Sequence, residues 1–334
     1  MINKRKAISL ALTSVLVGTI LTGCSSKNTS ANNNNTKNGS DTKKIGITQL
    51  VEHPALDATK TGFINALKDN GFEEGKNIDI DFKNAQNDMP TTQTIASSFA
   101  SDKKDLIFAI STPSAQAAFN ATKDIPILFT AVTDPVEAGL VKNPDKPEGN
   151  VTGTSDFIPV SNAITLIKDL APNAKTVGII GNTSEINSKI QIDEFKKEAE
   201  KNGFTVVVKG ITTSNEVNQA VSSLVGKVDV IYTPTDNLVA SSMPIISKIA
   251  TENKIPVIGA EEAHVKNGAL ACNGISYEKL GYKAGEDAVK ILKGEKIASV
   301  PVSTLEETET IINETTLDSL GIEKPKSEGI TFIK

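Results

Sequence analysis

From Lys44 onward, short runs of aliphatic and β-branched residues alternate with longer stretches whose apolar positions recur every three or four residues. The short runs read as strands and the longer stretches as amphipathic helices, so the alternation predicts βαβ units on a parallel sheet. Ile45-Gly46-Ile47-Thr48-Gln49 predicts the first strand, and further strands are expected at Ile78–Phe82, Leu106–Ile110 and Ile125–Phe129. The first helix opens near Pro54, a residue suited to a first helical turn. It closes at Asn70-Gly71-Phe72, where a glycine is available for the C-cap.

The pattern is then written a second time. Val177-Gly178-Ile179-Ile180 matches Ile45-Gly46-Ile47-Thr48, and Glu200–Phe204 matches Lys68–Phe72 with no gap between the two matches. Asp105-Leu106-Ile107-Phe108 pairs with Asp229-Val230-Ile231-Tyr232, and Ile125-Pro126-Ile127-Leu128 with Ile255-Pro256-Val257-Ile258. The fold class expected is α/β, as two doubly wound parallel-sheet lobes. Open α/β sheets bind ligands outside the carboxyl ends of their strands, so two facing lobes make one cleft. Residues 273–334 fall outside the repeat. There, Tyr277 to Gly294 reads as one amphipathic helix, followed by a Val300–Leu305 strand, in a segment placed to cross between lobes again.

The start of the chain has another pattern. Lys4-Arg5-Lys6 precedes an uncharged, mostly apolar run from Ala7 to Ile20. That run is shorter than the roughly 20 apolar residues of a stable membrane span. It ends in Leu21-Thr22-Gly23-Cys24, which resembles the lipobox of bacterial lipoproteins. The resemblance implies a signal peptide over 1–23, removed to leave a diacylated Cys24 as the mature N-terminus. Between Ser25 and Lys44 the one aliphatic residue is Ala31, so 24–43 is expected to be a flexible tether. The expected location is the extracytoplasmic face of a bacterial cell membrane, held through lipid alone.

Composition narrows the chemistry. A formal charge of −5, 4% aromatic residues and no Trp argue against nucleic acid as a partner. Two cysteines and two histidines are a poor supply of metal ligands, and neither a metal nor a cofactor is expected. Gly-x-Ser-x-Gly, a Walker loop, His-Glu-x-x-His and a dinucleotide Gly-x-Gly-x-x-Gly are not found. The expectation is a monomeric binding protein and not an enzyme.

Five phrases are more specific: His53-Pro54-Ala55-Leu56-Asp57, Thr112-Pro113-Ser114-Ala115-Gln116, Thr133-Asp134-Pro135, Asn150-Val151-Thr152-Gly153 and Pro234-Thr235-Asp236-Asn237. Over residues 44–330 the chain resembles the substrate-binding lipoproteins of ABC importers with a type I periplasmic-binding-protein fold, a family that includes tryptophan- and tyrosine-binding members. The resemblance implies three hinge crossings near 155, 273 and 302. One lobe is then 44–155 plus 274–301, and the other 156–273 plus 302–334. It also implies an amino-acid ligand, tryptophan or tyrosine, and an ABC permease as partner. A surface adhesin or antigen, or a sensory ligand trap, would use the same fold.

The candidate ligand residues follow from position. Thr112, Ser114 and Gln116 open a helix at a strand's carboxyl tip, where hydroxyls and free amides suit a carboxylate or serve as a plain N-cap. Asp236, with Asn237, falls opposite Thr112 in the repeat, where it either caps the next helix or meets an ammonium group. Asp236→Ala is therefore expected to cost affinity, about 1.5–3 kcal/mol, with folding barely changed. Glu261 is implied by the resemblance as a second ammonium partner. Asp156 and Phe157 follow the first crossing, as a ligand contact and an apolar wall or as hinge bonding. Gln49 and His53 are expected on the cleft rim, with Ser184 and Asn187 in the equivalent place of the second lobe. Tyr232 reads as core.

Overall fold

The computed structural model describes residues 42–334. The predicted signal peptide, Cys24 and all of the tether before Thr42 lie outside the described residues.

Strand β1 (Lys43–Gln49) turns Ile45 and Ile47 into the core under α1 (Pro54–Asp69). Next come β2 (Ile78–Asn84), α2 (Met89–Ser101), β3 (Leu106–Ile110), α3 (Thr112–Ala121), β4 (Ile127–Val132) and β5 (Val151–Ser155). The second round begins at α4 (Ser161–Leu170) and β6 (Thr176–Asn182). It continues through α5 (Ile186–Lys201), β7 (Thr205–Ile211), α6 (Ser214–Leu224), β8 (Val230–Thr233) and α7 (Asn237–Glu252). It closes with β9 (Val257–Gly259), α8 (Glu262–Lys266) and β10 (Ala271–Gly274). The remaining elements are α9 (Tyr277–Leu292), β11 (Ser303–Thr304), β12 (Glu309–Asn313), α10 (Glu314–Leu320) and β13 (Ile330–Ile333).

Two sheets result, ordered β11-β5-β4-β3-β1-β2 and β13-β12-β10-β9-β8-β6-β7. The first is parallel throughout. The second is parallel from β7 to β10, and the expected α/β class with two doubly wound lobes is what the chain adopts. One departure is β12, which runs antiparallel to β10 and carries β13 beside it.

The duplication extends into the packing. Phe63 of α1 stacks on Phe108 of β3 with ring centroids 3.7 Å apart. At the same places in the second sheet, Phe195 of α5 stacks on Tyr232 of β8 at 3.9 Å, which makes Tyr232 core as expected. Asp105 accepts from the Lys44 amide, and Asp229 from those of Lys175 and Thr176, so each aspartate anchors the start of a first strand.

The chain passes between the sheets three times: after Ser155, between Gly274 and Tyr277, and after Thr304. The last differs from the crossing expected near 302, because Ser303 and Thr304 still pair with Thr154 and Ser155 in the first sheet. After the second crossing, α9 is held to α1 by backbone contact. A Cβ on Gly281 would lie 1.9 Å from the Thr59 carbonyl oxygen, and one on Gly62 would lie 2.0 Å from that of Glu278.

Candidate functional site

Strands of a doubly wound sheet deliver their carboxyl ends, and the helix N-termini that follow, to one edge. The two edges here face each other. On the first sheet, His53 caps α1, Leu56 lies in its first turn, and Ala131 and Thr133 follow from β4. The second sheet supplies Asn187, Thr235, Asp236, Asn237, Ala240 and Glu261. Asp156 enters from the first crossing and Tyr277 from the second. Together they enclose a cavity of about 20 Å³, room for the centre of a single water. The edges touch across it, with the hydroxyls of Thr133 and Thr235 3.2 Å apart.

Electrostatically the enclosure is one-sided. Asp156, Asp236 and Glu261 line it, Glu185 lies just behind, and all four are buried. Among the described residues, no Lys or Arg lines the cavity. Burial raises each carboxyl above its ordinary range, Glu261 to about 8. Glu185 is pushed up to about 7 by burial first and by the neighbouring Asp236 charge second. Helix geometry offsets part of this penalty. Glu185, Asp236 and Glu261 are the N-cap residues of α5, α7 and α8, where the partial positive charge of a helix start favours a carboxylate.

Asp236 is fully engaged within its own lobe. Its carboxylate accepts from the Val239 amide at 3.0 Å, from the Ser188 hydroxyl at 2.6 Å and from the Asn182 amide at 2.5 Å. The capping role foreseen for it is the one the structure displays, and these bonds argue against the expectation that Asp236→Ala barely changes folding. Glu185 accepts from the side-chain amides of Asn182, Asn187 and Asn237.

Other polar atoms at the cavity have no hydrogen-bond partner among the described residues. These are both ring nitrogens of His53, Oδ1 of Asp156, Oδ1 of Asn187 and Oε1 of Glu261. Glu261 Oε1 lies 3.3 Å from His264 Nε2, yet neither atom has hydrogen-bond geometry. Burial drives the His264 imidazole down to about 3, so it is neutral and the pair is not an ion pair. The other ring nitrogen of His264 lies 3.0 Å from the Thr233 hydroxyl. His53 is lowered to about 4 by burial, with Asn237 and Asp57 opposing, and is neutral as well.

Of the residues singled out from sequence, His53, Asp156, Asn187, Asp236, Asn237 and Glu261 converge on this cavity. The others do not line it. Thr112 and Ser114 are buried at the start of α3. Gln49 is turned aside by bonds from its amide to the Val51 carbonyl and the Asp57 carboxylate. Gln116 donates to the Ala138 carbonyl and lines a separate groove of about 360 Å³ on the first lobe. Phe157 is 42% exposed, so the apolar wall expected of it is corrected: its backbone is fixed by the Ser155 hydroxyl and its ring faces solvent.

Sequence reasoning passed over Glu185, Tyr277, Thr133 and Ala131. A signal for Glu185 was present, because the offset relating Gly46 to Gly178 also relates His53 to Glu185. Each is the N-cap after the first strand of its lobe. Tyr277 lies in the non-repeated segment and had no counterpart to point to it.

Comparison with known proteins agrees with this arrangement. A family model described as ABC transporter substrate binding protein matches residues 44–328. A tyrosine-binding protein of Clostridioides difficile (strain R20291) is 62% identical over 337 residues, spanning 100% of this chain and 97% of that one. The ligand-free, open structure of a substrate-binding protein with adhesive properties from Clostridium difficile shares 71% identity. It covers 87% of this chain and 99% of its own, with a TM-score of 0.68. An ABC domain in complex with L-Trp from Streptococcus pneumonia shares only 38%, covering 87% and 99%, but superposes with a TM-score of 0.84. Sequence divergence alone would order the two scores the other way. The chain thus superposes more closely on the liganded relative than on the open one, and the Thr133 and Thr235 hydroxyls meet across the cleft.

Proposed function

This chain belongs to the family of ABC transporter substrate-binding proteins, and from that premise we propose that it captures an aromatic amino acid, tyrosine or tryptophan, between its lobes and presents the closed form to an ABC permease. The observation that carries the reading is the set of buried, unpartnered polar atoms contributed from both sides of one enclosed space. Leaving such groups unsatisfied costs about 1–3 kcal/mol each, so closure without an occupant is penalised and closure around one is favoured. Unpartnered carboxylate oxygens of Asp156 and Glu261, with no lining cation, suit a ligand's ammonium group. The tyrosine-binding relative and the L-Trp complex support the aromatic class.

The two lobes act as jaws in this reading: residues 44–155 with 274–304, and 156–273 with the remainder. A space of about 20 Å³ is far below the 300–1,000 Å³ of ordinary ligand sites, so the jaws part to admit an amino acid and stand further apart around it. No bond is made or broken, and a monomer suffices. ABC substrate-binding proteins work outside the cytoplasm. We assign the anchor to diacylated Cys24 on the sequence Leu21-Thr22-Gly23-Cys24 behind its basic, apolar leader. Labelled fatty acid should enter the wild-type protein and not Cys24→Ser; equal labelling would remove the anchor from this account.

A thermal-shift screen of the protein beginning at Ser25, against amino acids, nucleosides and sugars, tests the ligand class. Ligand at 100 times its Kd should add about 2.7 kcal/mol of stability. A shift with tyrosine or tryptophan is expected, and none with any amino acid would overturn the reading. Adhesion is a second reading, favoured by the adhesive properties ascribed to one relative. Cell binding that survives Glu261→Gln while ligand binding is lost would separate the two roles.

A further inference from the structure

We propose that His53 is a specificity-determining residue, selecting aromatic side chains that carry a hydrogen-bond donor, a phenol O–H or an indole N–H, over phenylalanine. The inference rests on the aromatic amino-acid reading above and adds to it the group that reads the ring.

The unpartnered atoms at the cavity fall into two chemical kinds. Asp156 Oδ1, Glu261 Oε1 and Asn187 Oδ1 are carboxylate or amide oxygens, which suit the ammonium group common to all amino acids. His53 is the exception, an imidazole buried to 4% exposure with neither nitrogen partnered. It also shares its cavity with the apolar part of the wall. Leu56, one turn along α1, lines the same cavity, and with Ala131 and Ala240 it makes up the apolar part of the wall. An aromatic ring resting on Leu56 brings its polar edge to the start of α1, where His53 is the N-cap.

Burial keeps the imidazole neutral at physiological pH, so one nitrogen is an acceptor and the other a donor. Asn237 of the opposite lobe stands beside it and can meet one of them, which leaves the other for the ligand. A phenol or indole donor fills the acceptor position. Phenylalanine fits the same space and leaves a buried nitrogen unpaired, the situation in which sites built around a hydrogen bond reject the analogue that lacks it.

Calorimetry of the full chain in mild detergent with tyrosine, tryptophan, phenylalanine and 4-fluorophenylalanine tests this. Wild-type protein should bind tyrosine about 10-fold to 100-fold more tightly than phenylalanine or its fluoro analogue. His53→Leu should bring tyrosine and phenylalanine to within about threefold, and His53→Gln, which keeps an amide acceptor, should retain most of the preference. Equal weakening of both ligands by His53→Leu would place the imidazole on the shared amino-acid group and overturn the proposal. So would affinities that do not change at all. If His53→Leu does not fold, the fluoro analogue decides on wild-type protein alone: binding as tight as tyrosine overturns the inference. Binding of no aromatic amino acid removes the aromatic reading itself and the inference with it, whereas tight but undiscriminating binding removes only the role of His53.

Discussion

The hydroxyl of Tyr277 donates to Oδ2 of Asp156 at 2.8 Å, joining the residue that follows the first crossing to the residue that opens the helix after the second. Two of the three strands of the hinge are thereby fixed to each other at the wall of the cavity. Asp156 retains one unpartnered oxygen facing the same space.

Tyr277→Phe removes that donor and leaves a buried carboxyl with neither oxygen satisfied. The expected effect is a loss of about 1–3 kcal/mol in folding stability and a roughly tenfold rise in Kd, since the closed form loses a bond that orients Asp156. Denaturant unfolding and calorimetry on the one variant check both numbers. Unchanged affinity would mean that Asp156 is held well enough by its neighbours.

Asp236 and Thr213 are both N-cap residues, one buried and one exposed. Thr213 exchanges bonds with Glu216 in a capping box, and Thr213→Ala should cost about 1 kcal/mol. Asp236→Ala strands the donors of Val239, Ser188 and Asn182 together and should cost at least twice as much. Equal denaturation midpoints for the two variants would show that the Asp236 carboxylate is dispensable to the second lobe.

Closure of the empty cleft should depend on pH, with a sign set by the buried Glu261. Glu261 is held up at about 8, and opening the cleft returns it toward its ordinary value of 4.5. Protons therefore bind the closed form more tightly. This contribution is complete below the ordinary carboxyl range and is lost as the pH rises through about 8. The imidazoles run the other way: His53 favours closure above its ordinary 6.5 and withdraws it as the pH falls toward about 4, and His264 acts in the same sense. Between about pH 8.5 and 6.5 Glu261 acts nearly alone. Small-angle scattering of ligand-free protein should give a smaller radius of gyration at the lower pH, and an equal or larger radius would sink this account.

Glycine content at the α1–α9 contact makes a sharp contrast with glycine elsewhere. Gly281→Ala puts a methyl into the Thr59 carbonyl and should lower stability by about 3 kcal/mol or more. Gly294→Ala meets no neighbour within 4 Å and strains only a backbone at φ +98°, a cost of about 1–2 kcal/mol. Melting temperatures that rank the two in reverse order would show that the helices can separate without penalty.

The duplicated strands and helices were legible because the repeat imposes the same periodicity, the same Asp before a buried strand and the same glycines at fixed offsets. Asp236 was found from that register, His53 from its place after the first strand, and Glu261 from the family resemblance. What escaped the sequence depends on where a side chain turns after its strand ends. Phe157 is apolar and next to Asp156, yet one residue further along an extended segment it points outward. Gln116 lies one turn beyond Thr112, and that turn carries it to a different face of the first lobe. The two-residue strand β11 and the antiparallel β12 are too short and too weakly patterned to announce their partners.

The hydrogen bond from Tyr282 to Asp69, between α9 and α1, spans 213 residues of chain. The first lobe, begun at Lys43, stays without one of its covering helices until the whole second repeat has been made, and the second sheet waits for β12 and β13 at the carboxyl end. Loop closure of this length is entropically costly and slow, so neither half matures early. A polypeptide wired in this order leaves both lobes incomplete until residues 277–333 have been synthesised.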